Sequence, residues 1–324
     1  MSAGRVTLAA MRPALKAGLL PVWRDRDTLQ IGIDPRRAIA LTGMAGAARL
    51  LGLLDGTRDQ QQVAAAALDL GIPAGAADRV IGLLAAGGAL HDVPAGAGLA
   101  VPGARRRRLS PELATSALAH GDGDGGTRTL ARRQAAWVRV HGTTQAGLSV
   151  AGLLAAAGTG RVTTTGRLEP PGRGQRPDLV VLADIHEPGL PAALVREAIP
   201  HLAASAGEAI GTVGPLVLPG RSACLRCLDL ARTERDPAWP LILAQRAGRQ
   251  PDPPACDVTL AATVAAQAAA QALALIDRGA PGSPVTNGTL ELFLPDWQWQ
   301  RRSWRPHPRC GCSSVAASRV TMST

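Results

Sequence analysis

The chain has 324 residues, 46% of them hydrophobic and 19% charged, and a formal charge of +10. That length and composition suit two folded domains with buried cores and exclude a disordered polyelectrolyte. Six Trp, one Phe and no Tyr exclude tyrosine chemistry and a multi-aromatic platform for single-stranded nucleic acid.

Of 35 basic residues only Lys16 is a lysine. This arginine bias suits a GC-rich genome better than selection for phosphate binding. The N-terminus lacks the continuous apolar core of a signal peptide.

Leu20–Trp23, Leu29–Asp34 and Ala38–Thr42 have strand character, the first two joined by a turn over 24–28. Met44–Leu54 predicts a helix ended by Asp55-Gly56. Thr57-Arg-Asp-Gln60 has the form of a capping box, opening a helix that buries Val63, Ala67 and Leu70. A third helix starts near Pro73 with Ala77, Val80, Ile81 and Leu84 inward, and stops at Gly87-Gly88 before the strand-like Ala89–Asp92. Three strands, three helices and a closing strand describe a winged helix over residues 1–92. Residues 93–130, rich in Pro, Gly and charge, predict a flexible linker with a short helix near Pro111–Ala119. Its Arg105–Arg108 run reads as solvated.

Residues 131–312 alternate in the α/β manner. Trp137–Val140 and Arg161–Thr165 predict strands, and the apolar Asp178–Asp184 predicts a strand covered on both faces. Leu190–Ala206 reads as helix, and Ala209–Val213 and Leu216–Leu218 as strands. Leu260–Asp277 is Ala-rich helix; Thr289–Leu294 and Trp297–Trp304 suit a closing hairpin. The apolar run 258–276 reads as a buried helix rather than a membrane span, being mostly Ala with Gln267 and Gln271. A disordered tail is expected over 313–324.

Two features carry chemistry. Cys224-Leu-Arg-Cys227 and Cys310-Gly-Cys312 are close pairs that can converge on one tetrahedral zinc ion. Such a closed site is structural, with no open position for a reactive water; His307 is the reserve ligand, and unligated core cysteines are the alternative. Val138-Arg-Val-His-Gly142-Thr-Thr-Gln-Ala-Gly147 places Gly142 and Gly147 at the first and third positions of a G-x-G-x-x-G loop. Thr144 stands where the middle glycine would admit a phosphate. Cys256 has no evident base beside it and reads as inert. The other histidines show no metal-type spacing.

These residues, with Val213-Gly-Pro-Leu-Val-Leu-Pro-Gly220 leading into Cys224 and His307-Pro-Arg-Cys-Gly-Cys312 at the end, resemble the ThiF-type (ubiquitin-activating-like) family. Within it they are most similar to the partner proteins of azoline-forming cyclodehydratases, the TOMM precursor leader peptide-binding proteins. The resemblance implies a Rossmann-type, mostly parallel α/β domain with structural zinc behind a winged-helix recognition domain. It also implies a cytoplasmic protein that binds a precursor leader peptide and presents it to a separate cyclodehydratase. The peptide would add as a strand along Ala38, Ile39, Ala40 and Leu41, beside a groove from Arg79, Gly82, Leu83 and Ala86, with Arg36 and Arg37 favouring an acidic leader. Asp184 would correspond to the magnesium-binding Asp of adenylating members.

The departures argue against adenylation. Thr144 replaces the middle glycine, the strand Arg161–Thr165 runs into Gly166 and Arg167 without an Asp, and this half holds no lysine. ATP is therefore not expected as a cofactor, and a homodimer is left open. The alternatives are an active ThiF-type adenylyltransferase or sulfur-transfer enzyme, and a winged-helix DNA-binding regulator. The third helix carries one arginine and offers little to read bases with, so nucleic acid is the weakest partner.

Overall fold

Short strands broken by Pro, Gly and Asp open the chain. In a computed structural model describing residues 11–43, 46–93, 103–166, 176–184, 189–246, 255–280 and 282–312, these strands form two small sheets. β1 (Pro13–Leu15) pairs antiparallel with β5 (Leu90–Asp92). β2 (Pro21–Trp23), β3 (Thr28–Ile31) and β4 (Ile39–Thr42) make an antiparallel sheet in that order. The chain divides into two units, Met1–Ala131 and Arg132–Thr324.

In the first unit Leu29, Ile31 and Leu41 point from the sheet into one core, the two-residue alternation of a sheet covered on one face. α1 (Ala47–Leu51), α2 (Gln60–Asp69) and α3 (Ala76–Ala86) supply the other wall through Leu50, Val63, Ala67, Val80, Ile81 and Leu84. The capping box lies two residues beyond its expected place. Asp59 accepts from the Gln62 N–H at 2.8 Å and Gln62 returns the bond at 3.0 Å, while the Thr57 hydroxyl donates to Asp55. Leu70 follows the end of α2 and is exposed, and α3 begins at Ala76 after a turn from Pro73. The segment expected as a linker carries the helix expected near Pro111–Ala119 as α5 (Ser110–His120), and beside it α4 (Gly103–Arg108) and the start of α6 (Thr127–Ala135).

The second unit is a seven-stranded sheet, ordered β12-β11-β10-β9-β8-β6-β7. Its strands are β6 (Trp137–His141), β7 (Arg161–Thr165), β8 (Leu179–Ala183), β9 (His201–Gly207), β10 (Ile210–Val217), β11 (Gly288–Phe293) and β12 (Gln298–Ser303). Three pairings are parallel and three antiparallel, rather than mostly parallel. Every residue of β8 is buried, as its apolar run requires. The expected helix 190–206 splits: α8 (Gly189–Arg196) is helical, but 201–207 pairs with β8 and β10 as β9. Sheet pairing overrides the helix propensity of its alanines.

α7 (Gln145–Ala156) and α11 (Val258–Arg278) cover one face, with Val150, Leu154, Leu260, Val264 and Ala268 in the core. α11 is the one helix among the described residues long and apolar enough to cross a membrane; its Leu260, Val264, Ala268 and Ala272 are buried within the protein. α9 (Leu225–Arg235) and α10 (Trp239–Arg246) follow β10. Arg133 is buried and donates twice to Asp277, from Nε at 2.8 Å and Nη2 at 2.7 Å, fastening the end of α11. The expected tail, 313–324, lies outside the described residues.

Candidate functional site

β6 is the first strand of its sheet half, and β7 and β8 flank it. The chain therefore reverses direction of winding between β6 and β8, where open α/β sheets bind ligands beyond the strand ends. Gly142 sits there at φ 123°, and a Cβ on it would collide with the Ala183 carbonyl. A Cβ on Gly147 would meet the Gly142 carbonyl at 2.6 Å. Close packing of loop against strand thus accounts for both glycines.

Thr144 caps α7: its Oγ1 accepts from the Gly147 N–H at 3.2 Å and donates to Asp184 Oδ2 at 2.6 Å. Asp184 Oδ1 accepts from the Ala206 N–H at 2.7 Å. A helix N-terminus attracts phosphate through its unpaired N–H groups; here a threonine hydroxyl takes one of them and an aspartate holds the hydroxyl. Cys256 precedes α11 half-buried, with Asp257 capping the helix by accepting from the Leu260 N–H at 2.7 Å. Burial first, then Asp184 and Asp257, push the Cys256 thiol up, the direction opposite to an activated nucleophile.

The two cysteine pairs meet. Their four Sγ atoms lie within 4.8 Å of one another: Cys224 is 3.7 Å from Cys227 and 3.4 Å from Cys310, and Cys227 is 3.4 Å from Cys312. Four sulfurs about 2.3 Å from a tetrahedral zinc stand about 3.8 Å apart, so this set fits such an ion and could bind a metal such as zinc. Cys224 forms the N-cap of α9, which brings Cys227 onto its first turn; the far pair arrives after β12. The hydrogen bond from Cys224 favours ionisation of the Cys227 thiol, whereas burial and the neighbouring Cys227 push Cys312 up. A cation between the four sulfurs would let all of them ionise together.

His307 is not a ligand. Its backbone N–H donates to Cys227 Sγ at 3.3 Å, its Nε2 lies 2.9 Å from Glu234 Oε1, and its Nδ1 accepts from the Arg309 N–H at 3.2 Å. The histidine orients the cluster from outside, a role the Cys-Gly-Cys spacing alone does not disclose.

In the first unit β4 pairs only with β3 among the described residues. The Gly43 N–H donates to the Asp27 carbonyl at 2.9 Å in a register pairing Leu41 with Leu29 and Ile39 with Ile31. Antiparallel pairs alternate, so Ile39 and Leu41 bond inward to β3 while Ala40 and Thr42 direct their N–H and C=O groups outward. Leu41 contributes a core side chain and Ile39 packs on Gly87 at the end of α3; Ala38 precedes the strand. Arg79, Gly82, Leu83 and Ala86 are exposed along α3. Arg79 also borders a cavity of about 130 Å³ with Gly43, Leu50, Ile72 and Val80. Arg36 meets Asp34 at 2.6 Å and Arg37 donates to the Leu118 carbonyl at 3.0 Å.

No protein-family model matches the sequence, and no curated protein matches it. The fold does match solved structures. E. coli MccB with succinimide aligns at TM-score 0.64 and 14% identity, over 93% of this chain and 99% of that one. A heterocyclase in complex with substrate and cofactor aligns at TM-score 0.65 and 17% identity over 95% of this chain. The heterocyclase TruD aligns at 0.64 and 18% over 93% of this chain. This chain spans 40% and 42% of those two heterocyclases. At these identities the likeness is one of fold.

Proposed function

We propose that this chain is a non-catalytic partner protein: its first unit captures the leader of a ribosomally made precursor peptide and its second serves as a scaffold for a separate azoline-forming cyclodehydratase. The observation that carries the reading is the outward edge of β4 at Ala40 and Thr42. An extended peptide adds there by backbone hydrogen bonds, and the exposed face of α3 with Leu83 and Arg79 selects its side chains. The first unit would then be a winged-helix recognition domain. The fold's neighbours include MccB in complex with N-formylated MccA and a heterocyclase with its substrate, which supports the peptide-processing context.

The second unit supports a scaffold role. Cys224, Cys227, Cys310 and Cys312 would hold zinc, whose closed thiolate shell clamps the start of α9 to the chain beyond β12 and supplies no Lewis-acid water. Thr144 and Asp184 satisfy each other across the loop where an adenylating relative would seat its nucleotide. The reduced thiols such a site needs support a cytoplasmic location.

The second reading, an ATP-dependent adenylyltransferase, is favoured by the fold match to MccB with ATP. Pyrophosphate exchange above background would support it over the scaffold. The test of the first reading is Ala40→Pro. Proline removes the outward N–H without touching the bonds to β3, a position where edge strands accept it. Binding of a precursor leader peptide should fall at least about tenfold while the fold stays intact. Undiminished binding contradicts strand addition at β4.

A further inference from the structure

α10 buries none of its eight residues, and Leu241 and Ile242 are 63% and 43% exposed. A helix this short is marginal in water without packing, so its attachment matters. The Trp239 indole N–H donates to Asp229 Oδ1 at 3.1 Å, and the Arg232 guanidinium lies 5.0 Å from the Trp239 ring. The stack continues: Arg232 is 5.4 Å from the Trp304 ring and Arg302 is 5.6 Å from it. This Trp–Arg–Trp–Arg ladder fixes α10 to α9 and β12 through rings and guanidinium groups, leaving its aliphatic side chains uncovered.

The surroundings are basic. Residues 221–246 and 288–312 hold nine arginines and five carboxylates. Burial lowers the proton affinity of Arg232, and Arg302 and Arg246 lower it further against the pull of Asp229 and Glu291. Arg232 lies 3.7 Å from Asp229 and Arg302 3.9 Å from Glu291, so the positive excess beside the exposed Leu-Ile pair comes from the surplus of arginines over carboxylates in these two segments.

We propose that α10 and the arginines around it form a docking surface for an acidic, amphipathic segment of a different protein. Charge complementarity selects the acid, and Leu241 and Ile242 select apolar side chains. Nucleic acid fits less well: aliphatic side chains neither stack bases nor bond phosphates, and the Trp239 ring already faces Arg232. A second copy would bring the same arginines against these. The proposal is independent of leader capture at β4.

The test uses the full chain and two labelled synthetic helical peptides, one of Glu and Leu and one of Lys and Leu, followed by fluorescence anisotropy. The Glu/Leu peptide should bind, and Leu241→Asp and Arg246→Glu should each weaken it at least about tenfold. Absence of binding overturns the proposal, as does equal binding of the Lys/Leu peptide or indifference to both substitutions. A duplex oligonucleotide that binds with the same dependence on Arg246 also overturns it.

Discussion

Replacing Asp277 by Asn leaves the Arg133 guanidinium facing a neutral amide in a site where the two side chains are only 8% and 4% exposed. The carboxylate accepts from Nε at 2.8 Å and Nη2 at 2.7 Å, and Asn can accept only one of the two. Breaking a buried ion pair on one side costs about 3–5 kcal/mol; the retained acceptor puts Asp277→Asn near about 3 kcal/mol. At about 2–4 °C per kcal/mol for a unit of this size, the melting temperature should fall by roughly 6–12 °C. Five of the six tryptophans lie in Arg132–Thr324, so fluorescence follows this unit selectively. The double variant Arg133→Met/Asp277→Leu removes both charges and should recover most of the loss. A fall below about 2 °C, or a double variant as unstable as the summed singles, refutes the reasoning.

Two further outcomes follow. His201 is fully buried at the start of β9, with Nδ1 at 3.0 Å from the Ile199 carbonyl, and burial lowers its proton affinity to about 4 from an ordinary 6.5. The unfolded chain therefore binds more protons between those values, and stability complete above about pH 6.5 is lost toward pH 4, by about 3 kcal/mol in all. Denaturant titrations of His201→Leu across that window should lack this loss; an unchanged slope assigns it elsewhere. The purified chain should hold about one zinc, and Cys227→Ser should lower both that content and the melting temperature. A fully folded chain without bound metal contradicts the clamp.

What was legible in the sequence was local or strongly periodic. The inward set Ala77, Val80, Ile81 and Leu84 is buried in α3, because helical spacing and apolarity agree there. The cysteine cluster was legible because thiol pairs at such spacings have few other uses in a chain of this composition. The capping box was displaced because Asp55, Thr57 and Asp59 are all competent acceptors, and only the observed helix start decides among them. β9 was misread because its alanines favour helix until β8 and β10 compete for its backbone. Thr144 was read as a missing glycine, but its bond to Asp184 joins residues forty apart through the sheet order. The outward turn of Ala40 and Thr42 likewise depends on register, which the strand's own residues do not specify.

Amide hydrogen exchange, with and without a bound precursor leader peptide, tests capture at the sheet edge most directly. Slowed exchange should appear at Ala40 and Thr42 and along the exposed face of α3, with the loop from Gly142 to Gly147 unchanged. Bound peptide that leaves Ala40 and Thr42 unprotected, or slows the glycine loop instead, would contradict the account.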